Sequence, residues 1–195
     1  MSQPMDDMWL SITKGNELLG DVFVLMAFNG GIVDGRQRQI VEIGTLRGLS
    51  AIILSANGAH VTTIDSGQLV ETGYNEYAPT PHEVVQKYLS LYEIDSIKGM
   101  STDVAETWEN NSVDTLFIDA SHGYDNVSSD YHAWVPKVRL GGHIIFHDVS
   151  PVHEGVWKFY NQDLRKLVSE ANLREVPLPN LHGCGTVCKV FQRLV

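Results

Sequence analysis

Runs of β-type residues interleaved with helical patterns set the strongest limit on how this chain folds. β-type runs occur at Ile40–Gly44, Val61–Asp65, Ser96–Met100, Asp114–Asp119 and Gly142–Asp148. Helical patterns fall over Gly48–Ala56, Pro81–Tyr92, Gly123–Val138 and Gly155–Ala171. Strands that alternate with helices require right-handed crossovers and a parallel sheet covered on both faces. The ending breaks that rule. Between the last two β-like runs, Arg174–Leu178 and Gly185–Leu194, there is no room for a helix, only Pro177, Pro179, Asn180 and Gly183. The expected architecture is therefore α/β: a doubly wound, mostly parallel seven-stranded sheet that closes on a C-terminal antiparallel hairpin. Residues 1–39, with a helical segment at Glu17–Asn29, are expected to cap the sheet or line a site, and residues 40–195 to form the core of a single domain.

Composition narrows the possible partners. A hydrophobic share of 43% supports a packed core. The formal charge of −10, with 14 scattered Lys and Arg, argues against general nucleic-acid binding. The longest apolar run, Val22–Phe28, is too short to span a bilayer, and no basic and apolar leader is visible. Cys184 and Cys188 read as buried thiols of a reduced compartment. A cytoplasmic protein with a small-molecule partner is expected. A short N-terminal cap also leaves apolar surface for a second copy to cover in a homodimer.

The first strand enters a glycine-rich turn, Glu42-Ile43-Gly44-Thr45-Leu46-Arg47-Gly48-Leu49-Ser50. Gly44 allows a tight turn, and Gly48 allows a ligand or a helix to come close. The G-x-x-x-G spacing differs from the G-x-G-x-x-G of dinucleotide sites, and an acidic residue before the first glycine suits a cationic ligand better than a pyrophosphate. Asp65 ends the second strand, where this architecture grips ribose hydroxyls, although it also reads as a cap before Ser66-Gly67. Glu42 and Asp65 together favour a ribose-containing ligand.

The most informative cluster follows the fourth and fifth strands. Asp119, His122, His147 and Asp148 fall at the carboxyl edge of the sheet, where ligands bind in open parallel sheets. Two chemistries fit. Asp119, His147 and Asp148 can hold a divalent metal, with the carboxylates suiting Mg²⁺ or Mn²⁺ and the imidazole tilting toward a transition metal. His122 can serve as general base on a substrate hydroxyl. Alternatively, Asp119 caps the next helix and the histidines are ordinary polar residues.

The block from Phe117 to Val149, F-I-D-A-S-H-G-Y-D-N-V-x-x-D-Y-x-x-W-V-P-K-V-R-L-G-G-H-I-I-F-H-D-V, together with the E-x-G-x-x-x-G-x-S turn, resembles the type 24 family of class I S-adenosylmethionine-dependent methyltransferases. That family is similar to macrolide-sugar and catechol-type O-methyltransferases. The resemblance covers roughly Ile40 to Asp148 and implies a Rossmann-like fold with S-adenosyl-L-methionine as cofactor. It implies a cofactor site at Glu42, Gly44, Thr45, Gly48, Ser50, Asp65, Ser66, Met100, Ser101 and Asp119. It also implies a metal on Asp119, His147 and Asp148 (Mg²⁺ or another divalent ion) and His122 as catalytic base. Where relatives carry two acidic residues or Asp-Asn after the fifth strand, this chain has His147-Asp148.

The implied reaction is methylation of oxygen on a small hydroxylated molecule. The Gln68–Pro81 loop, the Pro151–Trp157 segment and the N-terminal residues, with Trp9, Tyr74, Tyr77 and Trp157, are the expected acceptor walls. Two other readings accommodate Asp65: an NAD-dependent oxidoreductase, and a non-catalytic nucleoside-binding protein on the same fold.

Overall fold

The computed structural model describes residues 16–67, 82–178 and 187–195. Its centre is a seven-stranded sheet built from β3 (Gln39–Ile43), β4 (His60–Asp65), β5 (Asp95–Lys98), β6 (Val113–Ile118), β7 (Val138–Phe146), β8 (Leu173–Glu175) and β9 (Lys189–Arg193), ordered β5-β4-β3-β6-β7-β9-β8. The first five of these pair in parallel; β9 runs antiparallel to both β7 and β8. The expected mixed sheet and its terminal antiparallel pair are both present.

Central strands covered on both faces bury nearly every position, and their residues are mostly apolar. All six residues of β6 are buried. Leu116 and Ile118 of β6, with Ile144 and Phe146 of β7, face one core, which also holds Tyr131 and Trp134 of α5 (Tyr124–Trp134) and Phe159 of α6 (Glu154–Phe159). The intervening Phe117 and Ile145 face the other core. There they meet Val24 and Leu25 of α1 (Asn16–Phe28), Ala51 and Leu54 of α2 (Leu49–Ser55), and Val85 and Leu89 of α3 (His82–Ser90). The strict change of face from one residue to the next is the period-2 geometry of a strand.

Several element boundaries differ from the sequence reading. The helix expected over Gly155–Ala171 is interrupted: α6 gives way to a wider π-type turn, Tyr160–Leu164, before α7 (Arg165–Ser169). Asp163 in that turn accepts a hydrogen bond from the Tyr124 hydroxyl at 2.9 Å, which ties it to α5. The fifth parallel strand begins earlier than expected, at Val138, and ends before His147-Asp148. A short helix, α4 (Ser101–Glu106), follows β5. An unforeseen hairpin joins β1 (Ile32–Val33) to β2 (Arg36–Gln37), with Asp34 at φ 51° and Gly35 at φ 76°. Two successive positive φ angles at Asp-Gly make the tight primed turn that suits strand twist.

Cys188 is buried; Cys184 lies outside the described residues. Among the described residues no helix is long and apolar enough to cross a membrane.

Candidate functional site

The parallel register brings the ends of four strands level. Ile43 pairs with Ile64 and with Ile118, and Ile118 pairs with Phe146. Backbone bonds continue one residue further: Gly44 N–H to the Ile64 carbonyl at 2.8 Å, Asp119 N–H to Ile43 at 2.9 Å, and His147 N–H to Ile118 at 3.1 Å. Gly44, Asp65, Asp119 and His147 therefore emerge along one edge. Gly44 sits at φ 97°, and a Cβ there would lie 2.1 Å from the Asp119 carbonyl oxygen, so the turn and the end of β6 touch only because this residue is glycine. At Gly48 (φ 77°) a Cβ would meet Leu89 of α3, so helix packing rather than a ligand uses that space.

The turn is held by Asp65. One carboxylate oxygen accepts the Thr45 and Leu46 N–H groups at 3.0 and 3.1 Å, and the other accepts Gly67 N–H at 2.7 Å. Glu42, expected beside a cationic ligand, is 0% exposed. Its oxygens take hydrogen bonds from Ser50 and, at 2.5 Å, from Thr63. Thr63 in turn lies 2.6 Å from the Thr45 hydroxyl. Burial pushes the Glu42 carboxyl up to about 8 against those two bonds, so it is an internal, largely protonated strut rather than a cleft-facing anion. Ser101 is also turned to structure: its hydroxyl donates to buried Asp130 of α5, and its carbonyl accepts Trp134 Nε1–H at 3.0 Å. Met100 is exposed at the start of α4, and Ser66 follows β4 directly.

The polar cluster after β6 and β7 converges more closely than its sequence spacing shows. His122 Nε2 is 2.7 Å from Asp148 Oδ2. His147 Nδ1 lies 3.1 Å from Asp119 and 3.2 Å from Asp148, while its Nε2 is 3.2 Å from Asp21 of α1. Those two Nδ1 distances are ion-pair distances without hydrogen-bond alignment, for Nδ1 is a buried nitrogen with no aligned partner. Burial alone would favour neutral His147, but Asp119, Asp148 and Asp21 outweigh it and hold the imidazole well above the ordinary histidine range. Burial likewise opposes charge on Asp148, and His122 and His147 overcome it, keeping that carboxyl well below the usual range. The Asp148 bond raises His122 as well, against partial burial.

Three members of this cluster were missed in the sequence. Asp21 reaches across from α1 and also accepts Val187 N–H at 3.1 Å. Cys188 stands within ligand distance of Asp21 and His147. His153, in the loop before α6, places Nε2 3.2 Å from Asp148 Oδ1. The sequence carried weak signals: an aspartate inside an apolar helical stretch, and a histidine five residues past Asp148. Of the expected acceptor walls, Trp9, Tyr74 and Tyr77 lie outside the described residues, while Trp157 is partly exposed against Tyr160.

Two cavities among the described residues lie elsewhere. One of about 270 Å³ is lined by Gln39, Ile40, Thr62, Trp108 and Ser112, and one of about 240 Å³ by Tyr131, Pro136, Leu173 and Arg193. Converging polar chemistry, rather than enclosed volume, picks out the carboxyl edge.

Comparison with known proteins gives the family. Residues 41–149, more than half of the 195-residue chain, match the type 24 family model described as a methyltransferase domain. The chain belongs to this methyltransferase family. A curated relative, the uncharacterized protein y4gI of Sinorhizobium fredii (strain NBRC 101917 / NGR234), is 28% identical over 162 residues, which is 77% of this chain and 17% of that protein. The chain thus spans a small part of that relative's length. Among solved structures, the O-methyltransferase NovP superposes with a TM-score of 0.64 at 16% identity, covering 90% of this chain and 80% of NovP. The O-methyltransferase from Bacillus cereus, in complex with SAH, gives a TM-score of 0.59 at 18% identity over 92% of this chain and 80% of its own. TomG from Streptomyces achromogenes, an O-methyltransferase involved in tomaymycin synthesis and solved with SAM, gives 0.59 at 15% identity over 92% and 79%. These likenesses show the shared Rossmann-like fold.

Proposed function

We propose that this chain transfers the methyl group of S-adenosyl-L-methionine to a hydroxyl oxygen of a small molecule, with His122 as general base. The observation that carries the reading is the His122–Asp148 contact of 2.7 Å, at the same edge as the Gly44 turn and Asp65. Asp148 occupies His122 Nε2 and so fixes the tautomer, leaving Nδ1 as the basic nitrogen of the neutral ring. The proton of the acceptor hydroxyl passes to His122 as the oxygen attacks the methyl carbon and the sulfur departs as S-adenosylhomocysteine. Holding donor and acceptor in line contributes on the order of 7–11 kcal/mol in well-oriented reactions.

In this reading the Gly44–Gly48 turn, Thr45, Ser66 and Met100 border the nucleoside. Asp65, with three backbone N–H groups on its two oxygens, keeps one of roughly four acceptor positions for a ribose hydroxyl. Glu42, Ser50 and Ser101 support the turn and its neighbours from within.

Asp119, His147 and Asp148 have the donors for a divalent ion, which would take the buried His147 Nδ1 between two carboxylates in place of its proton. Such an ion would lower the pKa of the acceptor hydroxyl. The same reading makes this a cytoplasmic enzyme and a homodimer, the second copy covering the exposed Phe23 and Met26 of α1.

A thermal-shift panel of S-adenosylmethionine, S-adenosylhomocysteine and NAD separates the readings. Stabilisation by both sulfur nucleosides and none by NAD is expected; stabilisation by NAD alone would overturn the cofactor. With catechols and hydroxylated sugars as acceptors, His122→Asn should slow methyl transfer by about 10²–10⁴ while S-adenosylhomocysteine still binds. An unchanged rate removes His122 from the chemistry.

A further inference from the structure

The carboxylate of Asp148 is shared by two imidazoles. His122 Nε2 reaches one oxygen at 2.7 Å and His153 Nε2 reaches the other at 3.2 Å, with the ring centroids 4.2 Å apart. These ligand atoms all lie within 4.8 Å of one another, and none of the three residues is fully buried. We propose that His122, Asp148 and His153 form a site for a divalent transition metal, sharing only Asp148 with the Asp119–His147–Asp148 set.

Two observations beyond the cluster support this site. First, the start of α6, just after His153, is docked onto the backbone of residues 122–124 at a distance only glycine permits. A Cβ on Gly155 would lie 2.2 Å from the His122 carbonyl oxygen and 2.4 Å from Tyr124 N. That contact brings His153 onto His122 although the two are 31 positions apart in the chain. Second, each imidazole presents Nε2 to a different oxygen of the same carboxylate, so one cation placed among them can take a donor atom from all three side chains. Two imidazoles and one carboxylate suit Zn²⁺, Co²⁺ or Ni²⁺, while Mg²⁺ prefers oxygen donors and retained water.

Occupancy has a chemical consequence. An imidazole bound to a metal through Nε2 carries its proton on Nδ1. His122 therefore cannot hold this ion and act as general base at once, and binding of the ion switches off the base-catalysed route. The metal site itself stands independently of methyl transfer; only this consequence rests on the proposed function.

The test uses the full chain, stripped by a chelator and titrated with Co²⁺, reading the visible absorption of the bound ion. One equivalent is expected to bind, with millimolar Mg²⁺ failing to displace it. His153→Gln should weaken Co²⁺ by at least about tenfold, since loss of even a supporting partner of a metal ligand costs 10–100-fold. Gly155→Ala should weaken it as well, by separating the two loops, and Asp119→Asn should leave the absorption band in place. Binding that survives His153→Gln, a band lost with Asp119→Asn instead, displacement by Mg²⁺, or no band at all overturns the site. Far-UV circular dichroism of each variant shows that it is folded. Titration of S-adenosylhomocysteine separates the two ideas: nucleoside binding without Co²⁺ binding removes this inference alone, and Co²⁺ binding without nucleoside binding removes only the proposed cofactor.

Discussion

The two ends of the parallel sheet handle buried carboxylates in opposite ways. At the amino end, Asp114 of β6 is fully buried, with 0% side-chain exposure, and Arg36 of the hairpin grips it through two bonds of 2.7 Å. Arg139 pairs with the same carboxylate, and Gln39 N–H donates to it at 2.8 Å. These partners are permanent cations and a backbone amide, and the Arg36 fork is the aligned bidentate geometry of a strong pair. At the carboxyl end, Asp148 is shared among the imidazoles of His122, His147 and His153, and His147 Nδ1 lies between carboxylates without alignment to either. One end is closed chemistry that fastens β2 to the sheet. The other is open chemistry that a ligand, proton or metal can complete, and this contrast distinguishes a structural ion pair from a site.

The largest expected effect tests the closed end. Asp114→Ala leaves two guanidiniums and the Gln39 amide without their shared acceptor, and breaking a buried pair costs about 3–5 kcal/mol. Urea unfolding should show this loss, while any S-adenosylhomocysteine affinity of the folded fraction stays unchanged. A stability near wild type would mean that the amino end is no more committed than the carboxyl end. The next effect falls on the turn. Gly44→Ala meets both the Asp119 carbonyl and a φ of 97°, and left-handed strain with overpacking together cost about 2–4 kcal/mol. Here nucleoside binding should fall along with stability, because the turn itself is displaced. Full affinity in a destabilised Gly44→Ala protein would separate the turn from the ligand.

How far these ends are legible in sequence follows from the range of the interactions. The alternating runs place β3, β4, β6 and β7, since burial on both faces demands continuous apolar residues. They also place Asp65 at a strand end and Asp119 and His147-Asp148 just past strand ends, so the edge is readable. Asp34-Gly35 is a local hairpin signal that was available and unused. What burial decides is not readable: Glu42 looks like a cleft anion until β4 supplies Thr63 and α2 supplies Ser50 to enclose it. Contacts between distant loops are equally hidden. Asp21 meets His147 across 126 positions, and His153 meets His122 across the backbone approach at Gly155.

A smaller effect, spread over pH, sharpens the place of Glu42 between the two ends. Its folded pKa is raised from 4.5 to about 8, so the folded state keeps a proton that the unfolded chain releases. That contribution to stability is complete below pH 4.5 and is lost as pH rises toward about 8. The slope is at most about 1.4 kcal/mol per pH unit. Glu42→Gln keeps the shape and an acceptor for Ser50 or Thr63 but cannot ionise. Its stability should be flatter than wild type across that window in denaturant unfolding at a series of pH values. Parallel curves for the two proteins would show that Glu42 is ionised in the folded state, which would make it part of the open chemistry.

The smallest effect on stability is expected at the heart of the open end. Asp148 sits at φ 56°, a left-handed conformation that asparagine tolerates at least as well as aspartate. Asp148→Asn keeps one carbonyl acceptor for His122 or His153 and leaves His147 with Asp119 and Asp21. The change in unfolding free energy should stay within about 1 kcal/mol, several-fold less than at Asp114. Methyl transfer should nonetheless fall sharply, because His122 loses the anion that fixes its tautomer. A stability loss as large as that of Asp114→Ala would show that Asp148 is a fastening like Asp114, and the distinction between the two ends of the sheet would no longer hold.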